Sequence, residues 1–357
     1  MEAVNPSGKK ALTAQNQLPE TEKNDGEILV SISSITYNHA AYLAAALDSF
    51  LAQDCGFSYE ILIHDDASTD GTADIIRAYA ARYPDIIRPI LQTENQYSKG
   101  IRNVSGVFNF PRARGKYIAM CEGDDFWCDR EKLRLQIDFM EAHPDCALSC
   151  HAARIMAEDG AFREKNVIRP YCGTRMLSPA EVISKPVNFP TASLVFRTEA
   201  VRNLPDWYYH CPVGDIPLQL ALLRHGSVYY FDREMSVYRM GSAGSWGESM
   251  EGGGAAARTE KWQAHFHAME ALYLAFNHDT DGRYAEAVRE AIARCRFQVD
   301  LKCGRLTVLE KPENKKFLGE LAPVQRRLLL LENRHPGLYA VLQRTWSGLR
   351  GIRQKNR

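Results

Sequence analysis

Hydrophobic and polar positions follow two rhythms along this chain. From Ile28 to Ile35 an apolar, β-branched run ends in Thr36, Tyr37 and Asn38, the pattern of a buried strand entering a turn. Helix formers with apolar spacing occupy Ala40 to Ala52. The unit then repeats, with a strand over Tyr59–His64, a turn over Asp65–Gly71, and a helix over Thr72–Tyr83 halted by Pro84. Further strands are predicted at Ile86–Leu91, Lys116–Cys121 and Cys146–His151. Between the last two, Leu133, Ile137 and Met140 recur at helical spacing and predict a helix over Arg130–His143. Alternating strands and helices of this kind predict an α/β fold with a Rossmann-like, mainly parallel sheet flanked by helices, whose ligands sit outside the carboxyl ends of the strands.

Beyond residue 160 the rhythm loosens. Short strands are predicted at Ala192–Phe196, Val228–Phe231 and Met235–Arg239, around a helix over Ile216–His225. The Gly- and Ser-rich stretch Gly241–Gly254 buries little and reads as a loop or lid. From Ala255 onward the pattern is helical, with helices expected near 256–277, 281–302, 313–333 and 336–350. The expected organisation is a polar leader over 1–27, an α/β unit over 28–246, and a loop plus C-terminal helical appendage over 247–357.

Composition narrows the class. With 45% hydrophobic and 25% charged residues, the 357-residue chain reads as an ordinary folded protein. The formal net charge of zero gives no global field to hold a nucleic acid. Met1–Glu27 lacks the apolar core of a signal peptide, and no later run has the length of a membrane span, so a cytoplasmic location is expected. Nine cysteines without zinc-ribbon spacing read as reduced packing thiols. The tail is locally cationic: from Pro323 onward stand Arg326, Arg327, Arg334, Arg344, Arg350, Arg353, Lys355 and Arg357 against the single acid Glu332. Interleaved with Leu328–Leu331, Leu338, Leu342, Trp346 and Leu349, these charges suit peripheral contact with the inner face of a membrane.

The candidate chemistry lies at two strand ends. Ile61–His64 runs into Asp65 and Asp66, and Tyr117–Cys121 runs into Glu122, Gly123, Asp124 and Asp125. In a parallel sheet these ends share one edge, where so many carboxylates repel one another unless a divalent cation balances them. Helix capping accounts for one polar residue per helix start and leaves the others unexplained. No GxGxxG or Walker A loop is present to cradle phosphates, so a carboxylate-held metal carrying a diphosphate is the economical reading.

The series Ile35, Thr36, Tyr37, Asn38, then Asp65 to Asp70, then Glu94 and Asn95, then Gly115 to Ile118, ending at Glu122 to Asp125, resembles family 2 glycosyltransferases of the GT-A fold over roughly residues 28–246. The resemblance implies nucleotide contacts at Thr36, Tyr37, Asn38, Asp65, Asp66, Asn95, Glu122 and Gly123, and Mg or Mn held at Asp124 and Glu122. Glu122 stands where the family usually has aspartate. The segment Val213–Leu218 matches the one that carries the catalytic base of inverting transfer and assigns that role to Asp215. After the strand ending at Arg239 the family often has a metal-ligating histidine, whose place is taken here by Gly241. Arg239 and Trp246 are candidate diphosphate or acceptor contacts.

The resemblance thus implies an inverting, metal-dependent glycosyltransferase using a nucleotide-diphosphate sugar, with UDP as the expected nucleotide, and a saccharide or lipid-linked acceptor in cell-envelope polysaccharide or glycolipid assembly. Two alternatives stand beside it. A GT-A nucleotidyltransferase would carry a glycine-rich basic signature near the first strand, and none lies between Ile28 and Asn38. A catalytically silent nucleotide-sugar-binding module is suggested by Glu122 and Gly241.

Overall fold

The computed structural model describes residues 27–157, 160–185, 189–240, 250 and 252–340. The polar leader up to residue 26, Gly241, Trp246 and the tail from residue 341 lie outside the described residues.

The predicted strand–helix units form. Strand β1 (Val30–Thr36), helix α1 (Leu43–Leu51), β2 (Tyr59–Asp65), α2 (Thr72–Arg82), β3 (Ile87–Leu91) and β4 (Tyr117–Met120) follow in order. Strands β3, β2, β1 and β4 are neighbours in that spatial order, and every pairing among them is parallel. Alternation sends their side chains to two cores. Val30, Ile32, Ile61 and Ile63 pack with Leu47 and Phe50 of α1, while Leu62, Ile118 and Met120 face the opposite layer. Strands β1, β2 and β4 are buried nearly throughout, whereas the edge strand β3 exposes Arg88 and Pro89.

The second half is mixed. Strand β5 (Phe126–Trp127) is followed by α3 (Lys132–Ala142), β6 (Cys146–Met156), β7 (Phe162–Ile168), β8 (Arg175–Leu177), α4 (Pro179–Ser184) and β9 (Val195–Arg197). Then come α5 (Asp206–Tyr209), α6 (Asp215–Leu223) and β10 (Ser227–Arg239). Strand β9 runs antiparallel between β4 and β6, and β6 pairs parallel with β10. The two short strands expected at Val228–Phe231 and Met235–Arg239 are one strand of 13 residues, broken in register between Phe231 and Glu234. There the polar side chains turn outward to pair with Arg169 and Arg154.

The C-terminal helices are α7 (Ala255–Asp279), α8 (Ala285–Lys302), α9 (Lys315–Glu320) and α10 (Pro323–Arg334). The helix expected over 313–333 is split at Leu321 and Ala322, just before Pro323. Met269, Leu272, Tyr273 and Phe276 of α7 and Val288 and Ala291 of α8 belong to the same core as Leu218, Leu220 and Leu222 of α6. Helix α10 buries no residue; Leu329 and Leu330 lean on a small satellite cluster of Phe297, Val308, Leu309 and Phe317. No helix among the described residues is long and apolar enough to cross a membrane.

Candidate active site

Strands β1 and β2 end side by side, with Thr36 opposite Asp65. Two left-handed residues, Asn38 at φ 55° and Ala67 at φ 62°, turn the chain sharply at those ends. The turns clip each other. The Asn38 N–H donates to Ser68 Oγ at 2.8 Å, and the Thr69 N–H donates to Asn38 Oδ1 at 2.8 Å. Asp65 accepts from the Ser68 amide at 3.1 Å and from its hydroxyl. Asp66 accepts from the amides of Gln96 at 2.7 Å and Tyr97 at 3.0 Å, while Asn95 donates to the Asp66 carbonyl. Thr36, Tyr37, Asn38, Asp65, Asp66 and Asn95 are therefore brought to one edge. The side chains of Asn38, Asp65, Asp66 and Asn95 are engaged in shaping it, whereas Tyr37 stands exposed.

The acidic loop leaves β4 along this same edge, with the Gly123 N–H donating to the Ile35 carbonyl at 2.9 Å. A Cβ at Gly123 would stand 2.9 Å from Thr36 Oγ1 and 3.2 Å from His39 Nδ1, so only glycine lets the loop lie so close. Asp125 is buried and accepts from the Arg239 amide at 2.9 Å; its second oxygen has no partner. The Arg239 guanidinium lies over the rings of Tyr42, at 5.1 Å, and Phe126, at 4.7 Å, and donates to the Asp124 carbonyl. Its contacts are those of a clamp on the acidic loop. Capping does not explain these acids: α3 starts only at Lys132, where Asp129 receives the Glu131 amide.

Burial, with the charges of Asp124 and Asp215 added, pushes the Glu122 carboxyl up to about 8. Asp125 is raised by burial and by Asp124 and Glu122. Asp215, at the first turn of α6, is raised by burial; its Oδ1 accepts from the adjacent Ile216 amide at 2.9 Å, and the preceding Gly214 is the N-cap. The charges of both Asp124 and Asp215 reach Glu122, so the segment after β4 and the start of α6, singled out separately in the sequence, lie near one another. This donor chemistry, all oxygen with an unsatisfied buried carboxylate oxygen beside it, fits a hard divalent cation. Among the described residues no three His, Cys, Asp or Glu side chains already converge as a closed metal cage. A site that takes its remaining ligands from a diphosphate needs only one or two from the protein.

Sequence reasoning missed His39. Its Nε2 lies 3.9 Å from Asp124 Oδ2, and burial holds its imidazole below the usual range. A lone histidine at a helix start gives no signal in the sequence; only the fold carries it to the acidic loop. The π-helical turn Ser105–Asn109 was also missed. It buries Asn109, whose amide reaches Ser33 Oγ at 3.1 Å and the Leu62 carbonyl at 3.2 Å and so ties β1 to β2 beneath the site.

A family model described as glycosyl transferase family 2 matches residues 31–202. An uncharacterized protein of Mycobacterium tuberculosis (strain H37Rv) is 36% identical over 275 residues, covering 74% of this chain and 71% of that protein. The chain belongs to glycosyltransferase family 2. The family segment carries the whole Thr36-to-Asp125 constellation, while Asp215 and Arg239 lie beyond it. The Escherichia coli UDP-Glc:alpha-D-GlcNAc-diphosphoundecaprenol beta-1,3-glucosyltransferase WfaP is 37% identical over 115 residues, 32% of this chain and 41% of that enzyme. Among solved structures, S. aureus TarS (residues 1–349) in complex with UDP-GlcNAc superposes with a TM-score of 0.54 at 14% identity, covering 85% of this chain and 79% of that one. At that identity the likeness is one of fold, and it places this family 2 glycosyltransferase in the GT-A class.

Proposed function

We propose that this glycosyltransferase moves a sugar from a UDP-linked donor to an acceptor hydroxyl with inversion, in cell-envelope polysaccharide or glycolipid assembly. The reading is supported by the reach of the Asp124 and Asp215 charges to Glu122, on a loop that lies against the Thr36–Asp65 strand ends. Thr36, Tyr37 and the loop held by Asp66 receive the base and ribose. Asp124 and Glu122 hold Mg2+ or Mn2+, which when bound supplies positive charge for the departing diphosphate. Asp215 accepts the acceptor proton as its oxygen bonds to the anomeric carbon, and the bond from that carbon to the diphosphate breaks on the opposite face. Glu122 would have to be ionised to hold the cation, against the burial that favours its protonated form. Arg239 fixes the acidic loop; Trp246 lies outside the described residues.

The residues that contact donor and acceptor are assigned to the segment 28–246, with α7 packed behind α6 in the same core, and the WfaP likeness favours a lipid-linked acceptor. Helix α10 fits such an acceptor's surroundings. Opposite its packed side, Val324 (66% exposed) and Leu328 (39%) stand beside Arg327 and Arg334, a surface suited to anionic lipid. The test of function is calorimetric titration with UDP, GDP, TDP and CDP, each with Mn2+, Mg2+ or chelator. Tight binding of UDP that disappears with chelator is expected; no binding of any diphosphate sinks the reading. For the membrane contact, the full chain pellets with phosphatidylglycerol vesicles and a chain ending at residue 322 stays in the supernatant; equal partitioning removes α10 from the account.

A further inference from the structure

We infer that His39 is a direct ligand of the divalent cation taken up at Asp124, making the site selective for Mn2+ over Mg2+. The inference rests on the metal-dependent reading above and adds to it a nitrogen donor.

Three features of the local geometry carry it. First, the backbone of His39 is pinned: its N–H donates to Thr72 Oγ1 at 2.9 Å, the next amide, of Ala40, donates to Asp70 Oδ2 at 3.0 Å, and its carbonyl receives the amides of Tyr42 and Leu43 at 2.9 Å. The turn that opens α1 therefore fixes the Cα from which the ring projects toward the acidic loop. Second, Nε2 lies 3.9 Å from Asp124 Oδ2, and the two side chains are 18% and 17% exposed, so the pair is largely but not wholly withdrawn from solvent. That separation is too long for a hydrogen bond, which needs roughly 2.7–3.2 Å. It suits two ligands of one ion. With metal–ligand bonds of about 2.0–2.2 Å, adjacent ligands stand ~3 Å apart and opposed ones ~4.2 Å apart. Third, Nδ1 is turned inward against Gly123, buried without a hydrogen-bond partner, and the Thr36 hydroxyl, buried and equally unpartnered, lies against the same glycine. A metal-bound imidazole commonly donates its other N–H to such a group, and the Thr36 hydroxyl is the unpartnered acceptor that shares this glycine with it.

The chemical consequence is selectivity. Magnesium keeps oxygen ligands and near-ideal octahedral geometry, whereas imidazole suits first-row transition ions.

The experiment is electron paramagnetic resonance on the full chain with Mn2+ and inorganic pyrophosphate, a probe that brings no nitrogen of its own. Continuous-wave titration gives the Mn2+ affinity, and spin-echo envelope modulation reports any 14N bound to the ion. The expected result is 14N modulation in the wild type and its loss in His39→Gln. Mn2+ affinity should fall tenfold or more in that variant, and Mg2+ affinity, measured by competition, by less than threefold. His39→Asp, which offers oxygen in the same place, should bind Mn2+ without the 14N signal, which guards against mere misfolding of the glutamine variant. Bound Mn2+ without 14N modulation in the wild type overturns the role of His39 and leaves the metal reading standing. Absence of Mn2+ binding in the wild type, with pyrophosphate or UDP, overturns both.

Discussion

Asp215 sits at a helix start with burial holding its proton more tightly than in an ordinary aspartate. A base must be ionised to act, so activity rises with pH through that raised value, and the acidic limb of kcat/KM should lie above the unperturbed carboxylate range near ~3.9. Replacing it by asparagine should lower kcat by roughly 10^2- to 10^4-fold while UDP affinity stays the same. A pH–rate profile with a parallel calorimetric titration checks both; full turnover in Asp215→Asn removes it as base. Glu122 yields a stability prediction of defined sign. Its folded value of about 8 lies above the ordinary 4.5, so the native state holds a proton that the unfolded chain releases. Without metal, its contribution to stability is greatest below about pH 4 and declines as pH rises toward 8. Thermal unfolding of the wild type should therefore lose ground to Glu122→Gln between pH 5 and 8, and Mn2+ with UDP should narrow the difference. A parallel pH dependence in the two proteins, free of metal, is the outcome against it. At this scale the acids were legible because they stand in pairs at the ends of apolar runs. The engagement of Asp65 and Asp66 with the backbone of their own loops was not, since it depends on two left-handed turns meeting across β1 and β2.

Among the elements, the strands of the parallel half were readable because each is a largely apolar run closed by turn residues, with a helical period after β1 and after β2. The mixed half resisted for physical reasons. Strand β5 has two residues, too few for any period, and β10 is interrupted by Asp232, Arg233 and Glu234, whose charges meet salt-bridge partners where the pairing with β6 slips and then resumes at Glu234. One polar part of the tie between the sheet domain and the C-terminal helices was equally invisible in the sequence, a buried cation. Arg294 of α8 donates to the Ser184 carbonyl at the end of α4 at 3.0 Å, pairs with Glu290 at 3.1 Å and with Glu320 of α9, and lies over the Phe317 ring at 4.8 Å. Its side chain is 8% exposed, whereas that of Glu320 is 35% exposed, so solvent screens part of the pair. Arg294→Met should cost about 2–3 kcal/mol, near the lower end for a broken buried pair. Urea denaturation measures it, and a loss under about 0.5 kcal/mol, the size of an ordinary surface change, would falsify the linchpin role.

For the whole molecule, the question is where the catalytic fold ends. Helix α7 begins after the Gly-rich stretch, yet Met269, Leu272, Tyr273 and Phe276 are buried in one core with Leu218, Leu220 and Leu222 of α6, the helix that presents Asp215. Trp207 meets Phe276 edge-on at 6.1 Å, and Arg224, following α6, pairs with Asp279 at 2.8 Å. Fully burying each of four such side chains is worth about 1.5–3 kcal/mol, so together they amount to a large part of the roughly 5–15 kcal/mol that keeps a domain folded. A chain ending at residue 254 should then aggregate or melt far below the full chain, and lose activity through a disordered α6 even if the strand ends survive. A chain ending at residue 322 removes α10, which buries nothing, and should melt within a few degrees of the full protein and bind UDP equally well. Expression of both truncations with thermal unfolding and nucleotide titration decides the point. A folded, UDP-binding chain of 254 residues would mean that α6 holds Asp215 without α7 behind it, and the helical region would then serve the acceptor or the membrane rather than the catalytic core.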